Sequence, residues 1–226
     1  MKVNAVFFDI AGTTVTDDGF VKVAFINAFK AFGIALKDEE TDSVMGFKKI
    51  EAIKIIADEH GLSWNNQKLL EVHDRFTTEM KAVYASVALQ PLPGVIETFK
   101  WLQQHGIAFG FNTGFTREIT DVVLAKLGWN QDNYAKAVVC SDEVIAGRPA
   151  PYMIQKLMDK LGIANVATCI KVGDTEVDVM EGKNAGCGKV VSVTTGTYSR
   201  ADLEQFKPDF IIDHMQELVA IIEQYN

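Results

Sequence analysis

One strand-end carboxylate, one downstream pair of acids and one misplaced lysine carry most of the chemistry this sequence could perform. The run Val3-Asn4-Ala5-Val6-Phe7-Phe8 ends in a single carboxylate, Asp9, followed by Ile10-Ala11-Gly12-Thr13-Thr14. Such a carboxylate at a strand end can cap the next turn, or it can act as a nucleophile and carry a phosphoryl group. Gly12 lets backbone approach an anion, and Thr13 and Thr14 offer hydroxyls and amides to phosphate oxygens. Far downstream, Lys171-Val172-Gly173-Asp174-Thr175-Glu176-Val177-Asp178 places two acids in the first turn of an expected helix. There they can answer the helix dipole. Gathered with Asp9 at one edge, they repel one another unless a cation sits among them, and magnesium suits an all-oxygen site.

The lysine is Lys49, in Met45-Gly46-Phe47-Lys48-Lys49-Ile50-Glu51-Ala52-Ile53-Lys54-Ile55-Ile56-Ala57. At about 100° per residue, Ala52, Ile53, Ile56 and Ala57 share its face, while Glu51, Lys54 and Asp58 lie opposite. Lys48 falls towards the edge of the apolar face. A lysine in that setting either snorkels to the surface or holds its amine in a dry pocket. In the second case its pKa falls and it can condense with a carbonyl to form a Schiff base. Arg148, in Ala146-Gly147-Arg148-Pro149, is either a solvated loop residue or a forked donor to phosphate oxygens.

The elements that must position these residues fall into two parts. Strands are expected at Ile107–Phe111, Ala137–Cys140, Thr168–Val172, Lys189–Val193 and Phe210–Ile212, after the first at the N-terminus. Helices alternate with them at Val95–His105, Arg117–Leu127, Pro151–Leu161, Val177–Ala185 and His214–Gln224. Regular alternation predicts an α/β fold with a Rossmann-like, doubly wound parallel sheet. Between the first strand and the Pro91-Leu92-Pro93-Gly94 break, the pattern is helical only, at Phe20–Phe32, Phe47–His60 and Asn65–Ala85. The expected organisation is a core of residues 1–16 and 91–226 with a small inserted α-helical cap at 17–90.

A formal net charge of −8 argues against nucleic acid or an anionic membrane as partner. Cys140, Cys169 and Cys187 are odd in number and widely spaced, which fits a reducing compartment and no disulfide framework. No apolar run reaches the roughly 18 residues of a membrane span, and the first strand leaves no room for a signal peptide. A cytoplasmic location is expected. The apolar Phe20–Phe32 helix offers a contact for a homodimer formed through the cap.

Four motifs, those at Asp9, at Asn112-Thr113-Gly114 after the second strand, at Gly147-Arg148-Pro149 and at Gly173-Asp174 to Asp178, in this order, resemble those of the haloacid dehalogenase superfamily across essentially the whole chain. The Asp-x-Ala-Gly-Thr-Thr form, Gly-Arg-Pro-x-Pro at Arg148 and Met-Gly-x-x-Lys at Met45–Lys49 are similar to its phosphonatase branch, the phosphonoacetaldehyde hydrolases. The resemblance implies Asp9 as nucleophile and Lys49 as Schiff-base lysine. It implies phosphoryl binding at Gly12, Thr13, Thr113 and Gly114, with Met45 and Arg117 at the substrate and Arg148 on the phosphate oxygens. It implies Mg2+ held by Asp9, the Ala11 carbonyl and Asp174, with Asp178 behind them. Most phosphatases of the superfamily carry an acid where this chain has Ala11. That loss suits P–C cleavage, in which an iminium on Lys49 would accept the electrons. Two polar residues typical of phosphonatases are replaced, by Ala52 and Phe115. Three readings follow: hydrolysis of a small phosphonate aldehyde, hydrolysis of a small phosphate ester, and phosphometabolite binding without catalysis.

Overall fold

The computed structural model describes residues 2–226. Six parallel strands form one sheet in the order β3-β2-β1-β4-β5-β6. They are β1 (Ala5–Phe8), β2 (Ala108–Thr113), β3 (Val138–Cys140), β4 (Cys169–Gly173), β5 (Lys189–Val193) and β6 (Phe210–Ile212). The chain steps outward from β1 to β3, then returns to the other side of β1 with β4. The switch point therefore lies at the carboxyl end of β1, where open α/β sheets form their ligand crevice. Asp9 is the residue that leaves β1 there.

The sequence of β1 is apolar throughout because both of its faces are covered. Phe8 meets Phe99 of α5 (Val95–Gln104) with ring centroids 5.3 Å apart. Ala5 and Phe7, on the opposite face, cluster with Met153, Ile154 and Leu157 of α7 (Tyr152–Leu161). The remaining helices of this layer are α6 (Arg117–Leu127), α8 (Glu176–Ala185), α9 (Arg200–Phe206) and α10 (Glu217–Glu223).

Between β1 and α5 the chain is helical: α1 (Phe20–Lys30), α2 (Asp38–Asp42), α3 (Lys49–Glu59) and α4 (Asn66–Ser86). Their buried residues continue the core on one face of the sheet; Phe25 meets Phe76 at 4.5 Å in a tilted pair and Phe29 stacks on Trp64 at 5.6 Å. The apolar residues of α1 that suggested a dimer contact (Val21, Ala24, Phe25, Ala28, Phe29) are buried inside this layer. Intrachain packing thus accounts for them. The segment leaves and re-enters the sheet layer at Val15 and Pro91, which face each other in an antiparallel bridge. No helix is long and apolar enough to cross a membrane among the described residues.

The two layers meet through backbone. A Cβ on Gly46 would lie 2.5 Å from Thr175 Oγ1 and 2.6 Å from Val177 Cγ2. One on Gly114 would collide with the carbonyls of Gly46 and Phe47, and one on Gly147 would lie 2.5 Å from Lys48 Cβ. Gly46 also has φ +81°, where a side chain costs roughly 1–2 kcal/mol. Gly46→Ala is therefore expected to lower the melting temperature by about 2–8 °C, at roughly 2–4 °C per kcal/mol for a chain of this size. An unchanged thermal unfolding midpoint would show that the layers do not depend on this close approach.

Candidate active site

The crevice at the end of β1 is a cavity with about 330 Å³ of empty space, part of it open to solvent. The sheet layer lines it with Asp9, Ala11, Thr113, Gly114, Phe115, Asp174, Thr175 and Thr197. The helical layer supplies Asp17, Val21, Met45, Gly46 and Lys49.

Asp9 is held from behind by Arg148, whose Nη2 lies 2.8 Å from Asp9 Oδ1. The same guanidinium reaches Asp178 Oδ1 at 3.1 Å and Glu181 Oε2 at 3.1 Å, and also donates to the Asn112 carbonyl. Arg148 is wholly buried. Burial works against its charge, but the carboxylates of Asp178, Asp9 and Glu181 outweigh it and raise its pKa. The Arg148 fork, expected to meet phosphate oxygens, is paired here with the carboxylates of Asp9, Asp178 and Glu181.

Lys171, in the middle of β4, adds a second buried cation. Its Nζ lies 2.9 Å from Asp178 Oδ1 and donates to Asn112 Oδ1 at 2.8 Å, while Asn112 Nδ2 donates to both oxygens of Glu181. Lys171, Glu181 and Asn112 were given no role from sequence. The available signal was a lysine interrupting a strand expected to be covered on both faces. Asp178 also accepts from the Thr175 hydroxyl at 2.6 Å. Burial pushes its carboxyl up, but Arg148 and Lys171 together hold it below the usual value.

Asp174 differs from its neighbours. It accepts from the Thr13 hydroxyl at 2.9 Å and the Thr197 amide at 2.9 Å, with no cationic partner among the described residues. Burial first, then the charges of Asp9 and Asp178, raise its pKa to about 8. Burial likewise raises Asp9, against the pull of Arg148. One carboxylate oxygen from each of Asp9, Asp174 and Asp178 lies within 4.8 Å of the others. In this cluster four buried carboxylates face two buried cations, Arg148 and Lys171, and Asp174 is the acid that pairs with neither. This surplus of two negative charges fits one divalent cation.

Several phosphate-binding expectations change. The Thr13 hydroxyl is taken by Asp174, and that of Thr14 by the carbonyls of Asp9 and Ile10. Gly12 has φ +75°, and a Cβ there would lie 2.8 Å from Asp174 Oδ2. Its bareness makes room for Asp174. Arg117 points away from the cavity: it heads α6 and pairs with Glu143 at 2.8 Å and the Val138 carbonyl at 3.1 Å, because Glu143 supplies the nearer charge.

Lys49 begins α3 and is 3% exposed, on a face shared with buried Ala52, Ile53, Ile56 and Ala57. Its Nζ lies 5.4 Å from the ring centroid of Phe25 and 5.3 Å from that of Phe115. It has no salt bridge among the described residues. Desolvation lowers its pKa to about 8, although Asp9 and Asp17 favour its charge. Lys48 instead donates to the Val144 carbonyl at 3.1 Å, on the seam between the layers.

Residues 6–193 match the model of the haloacid dehalogenase-like hydrolases. The chain belongs to that family. It is an enzyme, and its relatives narrow the branch. It is 31% identical over 257 residues to a phosphonoacetaldehyde hydrolase of Bacillus cereus, covering 99% of this chain and 97% of the relative. It is 32% identical over 239 residues to one of Bacteroides fragilis, covering 99% and 88%. Among solved structures, a phosphonoacetaldehyde hydrolase-like protein from Oleispira antarctica superposes with a TM-score of 0.87 at 26% identity, covering 100% of this chain and 93% of that one.

The buried ion cluster generates a stability test. Arg148→Met leaves three carboxylates without their shared cation, and breaking a buried pair costs about 3–5 kcal/mol. A loss of that size is expected in urea unfolding, with Arg148→Lys falling between the two because one ammonium cannot span three acids. A loss below 1 kcal/mol for Arg148→Met would mean that the cluster is not held by this residue.

Proposed function

We propose that this enzyme hydrolyses the P–C bond of a small phosphonate aldehyde, phosphonoacetaldehyde or a close relative, with Mg2+ as cofactor. The observation that carries this reading is Lys49: a buried amine without a charged partner, opening on the same cavity as Asp9. The full-length similarity to phosphonoacetaldehyde hydrolases supports it.

Hydrolysing a P–C bond directly would expel a carbanion. Condensing Lys49 with the substrate aldehyde gives an iminium, which takes up the electron pair as an enamine when the bond breaks. A pKa near 8 leaves part of Lys49 as free amine at neutral pH. Asp9, aimed by Arg148, attacks phosphorus and becomes an aspartyl-phosphate, which water then hydrolyses. Thr113 and Gly114 line the same cavity and would border the phosphoryl group. Asp9, the Ala11 carbonyl and Asp174 would hold Mg2+, with Asp178 in support. When bound, the metal supplies positive charge to the phosphoryl oxygens. We assign residues 17–90 as a cap that shields this chemistry from water, closed through the glycine seam.

The test is borohydride trapping with phosphonoacetaldehyde. Mass should be added at Lys49 and not at Lys48. Because the neutral amine attacks, the trapping rate should rise with pH and level off above about 8, rather than climbing towards 10.5. Lys49→Arg should lose phosphate release from the phosphonate, since a guanidinium forms no imine. Wild-type turnover in Lys49→Arg would overturn the Schiff-base reading and leave hydrolysis of a small phosphate ester in its place.

The metal has a readout apart from activity. Mg2+ at about 100 times its Kd should stabilise the wild-type protein by about 2.7 kcal/mol. Asp174→Asn should abolish that thermal shift. A shift that survives in Asp174→Asn would place the ion elsewhere.

A further inference from the structure

Four titratable side chains line the cavity: Asp9, Asp174, Lys49 and Asp17. In the reaction proposed above, Asp9 is the nucleophile, Asp174 faces the metal and Lys49 is the amine. Imine chemistry still needs a group that carries protons. Tyr84 packs edge-to-face on Phe115 at 6.1 Å but does not line the cavity. We infer that Asp17 is the general acid and base of this active site, working with Lys49 on the organic half of the substrate.

The placement of Asp17 supports this role. It lies just before α1, and its Oδ1 accepts from the amides of Phe20 at 2.8 Å and Val21 at 3.4 Å. Those two bonds fix the carboxyl group. Its other oxygen, Oδ2, accepts from no protein donor among the described residues. Asp17 also lines a neighbouring pocket with Gly19, Lys22, Asp42 and Gly196. It therefore stands between the catalytic cavity and a second opening, through which a proton can be exchanged with solvent. Burial, the largest influence, raises its carboxyl above the usual range; the Val21 and Phe20 amides and the charge of Lys49 pull the other way. A carboxyl group fixed by one oxygen and free at the other can exchange a proton with a neighbouring amine or substrate group.

The proton balance is complete with water as the only co-reactant. Asp17 removes a proton from the Lys49 ammonium, and the free amine forms a C–N bond to the aldehyde carbon. Asp17 returns a proton to the resulting hydroxyl, which leaves as water and gives the iminium. Asp17, a carboxylate again, takes up a second proton from solvent through the neighbouring opening, and once the P–C bond has broken it delivers that proton to the enamine carbon. Water then releases acetaldehyde and frees Lys49. This assignment rests on the Lys49 reading, and the experiment separates the two.

Asp17→Asn is the informative variant, because an asparagine oxygen still accepts the two amides of α1 but cannot carry a proton. The full-length protein with Mg2+ is incubated with acetaldehyde in D2O, and methyl exchange is followed by NMR. Borohydride trapping at Lys49 is measured in parallel, as is phosphate release from phosphonoacetaldehyde. Wild type should exchange the methyl protons through its enamine. Asp17→Asn should still yield trapped imine at Lys49, while exchange and phosphate release fall by about 100-fold or more. If Asp17→Asn exchanges and turns over within about threefold of wild type, Asp17 is only a helix cap and the inference fails while Lys49 stands. If the wild type forms no imine with either aldehyde, the Lys49 reading fails and the role of Asp17 falls with it.

Discussion

A single guanidinium organises this molecule. Arg148 stands where three elements converge: the end of β1 through Asp9, the first turns of α8 through Asp178 and Glu181, and β2 through the Asn112 carbonyl. None of these groups could be buried alone, since an isolated charge in a dry interior costs several kcal/mol. Together they satisfy one another and leave Asp9 facing the cavity. Arg has the planar fork and permanent charge that such a node requires. The local surplus of negative charge lies at Asp174, on the side away from Arg148 and Lys171, where a metal ion can meet it.

The protein keeps two kinds of electrostatics apart. On the sheet side, acids outnumber bases and the balance favours a bound cation. On the helical side, Lys49 is desolvated between two aromatic rings and its charged form is disfavoured. An amine of lowered basicity set across the cavity from an acidic, cation-favouring edge is the arrangement that the proposed phosphonate aldehyde would need.

Much of the fold was legible because its signals are local. The Val3–Phe8 run, the alternation after Pro91 and the all-helical stretch before it all reflect burial patterns written along the chain. The elements missed, α2 and α9, are short and have no long apolar period to read. For α9 a cue was present, since Ser199 is followed three residues later by Asp202, and the two cap each other's turn. The face occupied by Lys49 could be drawn from helical periodicity alone. What Arg148, Arg117 and Thr13 touch could not, because their partners are distant in sequence. Arg117 meets Glu143 and Thr13 meets Asp174, 161 positions away. Motif spacing tells which residues reach the same edge, not which of them satisfy one another there.

The seam between the layers has a consequence for divergence. Gly46, Gly114 and Gly147 bring backbone against backbone or small atoms, so much of the closure depends on shape rather than on particular side-chain pairs. The residues contributed to the cavity by the helical side, among them Asp17, Val21, Met45 and Lys49, can therefore vary without disturbing the ion cluster beneath Asp9. A lineage built this way can exchange one organic substrate for another by drift in a single segment.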